Sequence, residues 1–158
     1  MTDTPVAAAN PFAEDDDPTI GYNRVWINLL RIQRSTMARI ARELKGFGIG
    51  DPIWHEILIQ IDRAGVSGIA MAELEQRIYT PHYALSRHVS RLVDAGYVRS
   101  VPMPGPGRGK KLVLTERGRE KNKVMWPVYA RVIQEELGPR LSTDEAYDLA
   151  RYLIRIYP

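Results

Sequence analysis

Residues 80–114 read TPHYALSRHVSRLVDAGYVRSVPMPGPGRGKKLVL. Thr80-Pro81 is a helix start, a hydroxyl that can cap followed by a proline whose fixed φ and missing N–H suit a first turn. From His82 onward, Leu85, Val89, Leu92 and Val93 recur at helical spacing and predict a buried stripe on a helix that stops at Gly96. Tyr83, Arg87, Ser90 and Asp94 fall on the opposite face, with His82, Ser86 and Arg91 beside them. The period then changes. Tyr97–Val101 and Lys111–Leu114 are short strand-like runs joined by PMPGPGRG, a connection too long for a two-residue turn. This predicts a β-hairpin, and a two-stranded hairpin is stable only when packed on other elements, here the helices before it.

Working outward, Trp26, Leu29, Leu30, Met37, Ile40, Ala41 and Leu44 predict a long first helix from about residue 22, ended by Gly46, Gly48 and Gly50. Asp51-Pro52 opens a second helix carrying Ile53, Trp54, Ile57, Leu58 and Ile61, and residues 70–78 predict a short third one. After the hairpin, Thr115 caps a fifth helix from Glu116. Its T-x-x-G start lacks the acid of a reciprocal capping box. Helical spacing runs on through Val124, Met125, Val128, Val132, Ile133 and Leu137, with Pro127 expected to kink or split it. Gly138-Pro139 ends that helix, and Ser142 caps a last one with Ala146, Leu149, Ala150, Leu153 and Ile154 apolar.

Composition narrows the function. The chain has 158 residues, 44% of them apolar, which suits one ordered domain. It has no cysteine, so a disulfide framework, a thiolate metal site and a thiol redox sensor are excluded. No apolar run approaches the ~18–20 residues that span a bilayer. The start, MTDTPVAAANPFAEDDD, lacks the basic and apolar regions of a signal peptide, so a cytoplasmic location is the expectation.

The charge is unevenly placed. Residues 1–20 carry five acidic groups and no lysine or arginine, with Pro5, Pro11 and Pro18, and read as a disordered acidic tail. Residues 77–123 carry eleven basic groups against three acidic ones, while residues 21–76 and 124–158 together balance at eleven of each. A basic surplus confined to the fourth helix, the hairpin and the start of the fifth helix points to a polyanion-binding surface. A catalytic constellation does not emerge. His82 and His88 are six apart and do not share a helix face as a metal pair would, and GPGRGK is not followed by the helix a phosphate loop needs. No cofactor or metal is implied.

A short helix, a turn, an amphipathic helix with a basic exposed face and a basic-tipped hairpin together make a winged helix-turn-helix. A helix fits the major groove, where base pairs differ in donor and acceptor pattern, and its N-terminal residues reach deepest. The residues expected to meet DNA are Pro81, His82, Tyr83, Ser86, Arg87, Ser90 and Arg91 on the helix, and Arg108, Lys110 and Lys111 on the hairpin. Alternating proline and glycine give a loop that has little to bury, and an arginine at its tip suits a narrow, electronegative minor groove. The rival reading, a winged helix used only to bind proteins, would not need basic residues at both places.

YALSRHVSRLVDAGYVRS (residues 83–100) and GRGKKLVLTERGRE (residues 107–120) resemble the MarR family of bacterial transcriptional regulators. Ser86-Arg87, Arg91-Leu92 and Gly96-Tyr97-Val98 match the family's groove-helix run. Leu114 to Gly118 match its L-T-x-x-G close, and Arg108 matches its wing arginine. Pro106 stands where the family has an aspartate that helps fix that arginine. DPIWHEIL, residues 51–58, is also similar to the start of the family's second helix.

The resemblance implies a mainly α fold with a small β-hairpin wing. It implies a winged-helix lobe over residues 51–115 and dimerisation helices over residues 21–45 and 116–158, all in one domain over residues 21–158. It implies a homodimer that binds a pseudo-palindromic operator in double-stranded DNA, acting as a ligand-responsive repressor. A small aromatic or carboxylate effector would bind between the dimer helices and the DNA-binding lobe, with Trp26, Arg31, Trp54, His55 and Tyr129 as candidates. The thiol-sensing branch of the family is excluded by the absence of cysteine. The terminal helices support a dimer independently, since they carry more apolar positions than a small winged-helix core can bury.

Overall fold

A computed structural model describes residues 10–103 and 109–156. It falls into two units, one up to Ser35 and one from Thr36, and the helix α1 (Ile20–Lys45) runs through the boundary.

In the first unit, residues 10–19 form turns stitched by side chains. Asn10 accepts the Phe12 N–H at 3.0 Å, and the Asp17 carboxylate accepts both the N–H and the hydroxyl of Thr19 at 2.8 Å, setting the start of α1. Asp15 pairs with Arg24, whose guanidinium lies 5.0 Å from the centre of the Phe12 ring.

The second unit contains the end of α1, then α2 (Ile53–Arg63), a 3-10 turn at Gly65–Ser67, β1 (Ile69–Ala70), α3 (Met71–Ile78), α4 (His82–Asp94), β2 (Val98–Pro102), β3 (Lys110–Leu114), α5 (Glu116–Leu137) and α6 (Thr143–Ile156). The hairpin is part of a three-stranded antiparallel sheet of order β1-β3-β2, with Ile69 opposite Leu112 and Ser100 opposite Leu112 on the other side. β1 was not expected. Gly68 makes it possible: its φ is +67°, and a Cβ there would meet the Leu112 carbonyl oxygen at 2.8 Å.

The core lies between the helices and one face of this sheet. Ile40 and Leu44 of α1, Ile57, Leu58 and Ile61 of α2, Leu74 of α3, Leu85 and Leu92 of α4, Leu112 of β3, and Met125 and Val132 of α5 are all buried together. Val93, expected in the α4 stripe, is 36% exposed. It follows Leu92 by one residue, so it turns about 100° away from the centre of the stripe.

The caps explain the boundaries. Asp51 accepts the Ile53 N–H at 3.1 Å, and Pro52 sits behind it with a helical φ of −57°. Thr115 accepts the Gly118 N–H at 3.0 Å and donates its own hydroxyl to the Gly96 carbonyl at 2.7 Å, so one side chain starts α5 and ties it to the end of α4. Ser142 and Glu145 form a full capping box on α6. Two expectations fail. Thr80 does not cap α4, because its hydroxyl turns back to the Ile78 carbonyl at 3.4 Å and the Pro81 carbonyl takes the first helical N–H groups. Pro127 does not split α5, which is one helix of 22 residues. Pro127 is exposed, so the carbonyl it leaves without a donor can be met by water.

Candidate nucleic-acid interface

α4 leans on α2, α3 and β2, and Leu85, Val89 and Leu92 are the side chains it buries. Every α4 residue expected at DNA is exposed: Pro81, His82, Tyr83, Ser86, Arg87, Ser90 and Arg91. They form one continuous face, since residues three and four apart are neighbours on a helix. Arg87 and Arg91 make no ion pair with any described residue. Arg77, Arg119 and Lys123 by contrast are paired with Glu73, Glu116 and Glu120. Two guanidinium groups held on a rigid helix without an internal acid are free to meet an external anion.

One histidine of that face has a partner. His82 Nδ1 lies 3.0 Å from a carboxylate oxygen of Glu75 on α3. His88, by contrast, is largely buried, with Nδ1 3.8 Å from an Asp51 oxygen.

The hairpin carries Lys110 and Lys111 on β3, paired with Pro102 and Val101 across the ladder. Successive strand residues point to opposite faces, so these two lysines do not share a surface. The Met103 N–H donates to the Gly109 carbonyl at 3.0 Å, closing the described part of the hairpin. Arg108 and Pro106 lie outside the described residues.

The residues expected to hold an effector separate. His55 and Tyr129 come together, with ring centres 4.5 Å apart, and Trp126 stacks near His55 at 5.8 Å. His55 is 5% exposed and its Nδ1 lies 2.7 Å from the Asn122 side-chain oxygen, while its Nε2 is buried without a hydrogen-bond partner. Burial pushes the imidazole below the ordinary histidine range, opposed by the Asn122 hydrogen bond. The Tyr129 hydroxyl donates to the Pro52 carbonyl, and burial raises its phenol. Trp54 turns instead to Tyr97, edge-on at 6.3 Å, with its own indole N–H buried and unpartnered. Trp26 and Arg31 are exposed residues of the first unit.

Asn122 and Trp126 are the members that sequence reading missed. Their signal was present, because 122, 126 and 129 follow the i, i+4, i+7 rule of one helix face. A second contact set ties α5 to the segments before β2 and after α1. Arg117 and Lys121 of α5 lie 5.3 Å and 5.7 Å from the Tyr97 ring centre, and Lys121 donates to the Phe47 carbonyl at 2.7 Å. Among the described residues, no helix is long and apolar enough to cross a membrane and no acidic or histidine group is arranged to hold a metal ion.

Three similarities place this architecture. AbsC, a MarR family transcriptional regulator from Streptomyces coelicolor, superposes with a TM-score of 0.74 at 22% identity, over 85% of this chain and 90% of that one. A MarR mutant from E. coli in complex with operator DNA gives 0.76 at 22% identity, over 90% and 99%. The organohalide-sensing regulator RdhR-CbdbA1625, bound to 2,4-dichlorophenol, gives 0.76 at 18% identity, over 98% and 88%. No curated protein sequence matches the chain. The model of the MarR family matches residues 47–109, from just after α1 to just before β3, so this winged-helix lobe is similar to that family.

Proposed function

We propose that this protein is a sequence-specific, double-stranded DNA-binding transcriptional regulator that acts as a homodimer. The observation that carries the reading is the α4 face, seven exposed candidate residues with Arg87 and Arg91 unpaired on a helix locked into the core. A helix presented this way fits the major groove, and arginine can bind guanine with two hydrogen bonds. Relatives of the same fold include one in complex with operator DNA, and the MarR family is one of transcriptional regulators rather than enzymes.

The homodimer is supported by α6. None of its residues is buried in the single chain, and Tyr147, Tyr152, Ile154 and Ile156 are each more than 60% exposed. A crevice of about 400 Å³ also runs between the end of α5 and α6, lined by Ile133, Leu137, Leu141 and Ala150 among others. So much apolar surface on one terminal helix suits a second copy. A two-fold dimer would place its two α4 helices on half-sites about one helical turn apart, which calls for a pseudo-palindromic operator.

An effector-responsive repressor is the finer reading. A relative of this fold is described bound to 2,4-dichlorophenol, and the His55, Trp126 and Tyr129 rings offer stacking surfaces with one free ring nitrogen.

The test is fluorescence anisotropy on genomic fragments selected by the purified protein. Binding should weaken steeply with salt, by about −0.9 in the log–log slope for each phosphate contact. Arg87→Ala should cost ~1–3 kcal/mol and relax specificity at one position per half-site. Arg108→Ala should cost less and flatten the salt slope by about one, because Pro106 replaces the aspartate that would hold that arginine. Retention of full affinity in the Arg87 variant, or salt-independent binding, would instead favour a surface that recognises protein.

A further inference from the structure

The contact between Glu75 and His82 places a carboxylate beside the first residue of the helix proposed to read DNA. An acid there needs explaining, because it repels phosphate. Glu73, two residues earlier on α3, is occupied by Arg77. Glu75 has no lysine or arginine partner among the described residues, and its one side-chain contact is the His82 ring. The turn that brings them together is tightly set. The Glu75 carbonyl accepts the Tyr79 N–H at 3.0 Å, and Tyr79 has a left-handed φ of 54°, which ends α3 and swings the chain into α4.

A carboxylate can only accept, so this contact requires the hydrogen on Nδ1. In the neutral ring Nε2 is then left as an acceptor, and the His82 side chain is 64% exposed. Acceptors in the major groove find donors only on the exocyclic amines of adenine and cytosine. We propose that Glu75 is a positioning residue for base reading: it holds His82 with Nδ1 protonated and Nε2 turned outward to accept from an amine-bearing base, adenine or cytosine. The inference rests on the DNA-binding reading of α4. The charged group facing His82 from the neighbouring helix is Glu75 itself, and on α4 its next-turn neighbour is the uncharged Ser86.

The experiment uses the full chain and a set of operator duplexes with each base placed in turn at every half-site position, read by fluorescence anisotropy. At about pH 8 one position should favour adenine or cytosine by about fivefold, the size of one hydrogen bond. His82→Ala and Glu75→Ala should both erase that preference. Glu75→Gln, whose amide oxygen still accepts from Nδ1, should retain it. A Glu75→Ala protein that keeps the wild-type base preference overturns the proposal. A random-sequence duplex separates the two levels of the argument. If wild type binds it with a steep salt slope while Glu75→Ala reads bases normally, the positioning role alone fails. If wild type shows no salt-dependent binding, the DNA reading fails and this inference falls with it.

Discussion

Replacing Gly118 with alanine tests how the hairpin is fastened to α5. Gly118 stands in the first turn of that helix, and in an ordinary helix interior the change stabilises by up to about 1 kcal/mol. Here the sign should reverse. A Cβ would sit 2.9 Å from Leu114 Cδ1 and 3.0 Å from the Tyr97 carbonyl carbon, and closer still to that carbonyl's oxygen. The obstacle is backbone, which cannot rotate aside as the end of a side chain can. It is also pinned, since the Tyr97 carbonyl accepts the Thr115 N–H at 3.0 Å and the Thr115 hydroxyl holds the Gly96 carbonyl at 2.7 Å. Relieving the clash therefore means lifting α5 off the Gly96-Tyr97 corner. Overpacking costs ~1–3 kcal/mol and each hydrogen bond lost ~1 kcal/mol. After the helix-propensity gain, the net loss should be about 2–4 kcal/mol, a large share of the ~5–15 kcal/mol typical of a folded protein. Urea unfolding of wild type and variant, at one protein concentration because a dimer's stability depends on it, measures the difference. An unchanged or raised midpoint would refute the close approach on which the reasoning stands.

Two further outcomes concern a buried group on α2 and an exposed one on α6. Burial holds His55 below its ordinary pKa in the folded chain, so the unfolded chain takes up the proton first as pH falls. The His55 contribution should be fully present above about pH 6.5 and lost progressively below it until the lower folded-state value is reached, and His55→Phe should remove that part of the pH dependence in urea melts at stepped pH. Identical pH slopes for the two proteins would count against a neutral buried ring. Ile154 is 71% exposed, so in a lone chain Ile154→Glu should move stability by no more than about 0.5 kcal/mol. If α6 is a dimer face, the same change should convert a species of twice the chain mass into a single chain in sedimentation, and a dimer that survives it would place the interface elsewhere.

The winged-helix lobe was legible because its signals are local and redundant. The α4 stripe, the Gly96 stop, the change of period near Tyr97 and the Thr115 cap mark neighbouring boundaries, and the structure follows them apart from the exposed Val93 and a strand that begins one residue later, at Val98. β1 was not legible, since two residues cannot show alternation and its existence depends on a partner strand more than forty residues away. Thr80 misled because cap preference says which residues can accept a helix N–H, not which way the hydroxyl turns once α3 has ended in a left-handed Tyr79. Pro127 misled because the penalty for a lost donor depends on whether the freed carbonyl meets water. The aromatic joint was half legible: His55 and Tyr129 stood out by type, whereas Asn122 and Trp126 required the face of α5 to be read against α2.

That joint and the Thr115–Gly118 corner are two of the places where α5 grips the winged-helix lobe. One fixes the end of α4 and the start of β2 through the Gly96 and Tyr97 carbonyls. The other fixes α2, against which α4 packs, through Asn122, Trp126 and Tyr129. The corner is made of hydrogen bonds from the Thr115 hydroxyl and N–H to backbone groups, around a glycine with no room for a methyl group, so it has little capacity to yield. The aromatic joint is made of stacked rings and two side-chain hydrogen bonds, with a buried His55 nitrogen that has no partner among the described residues. Of the two, the aromatic joint is therefore the one better able to yield while the Thr115 tie to the Gly96 carbonyl stays closed.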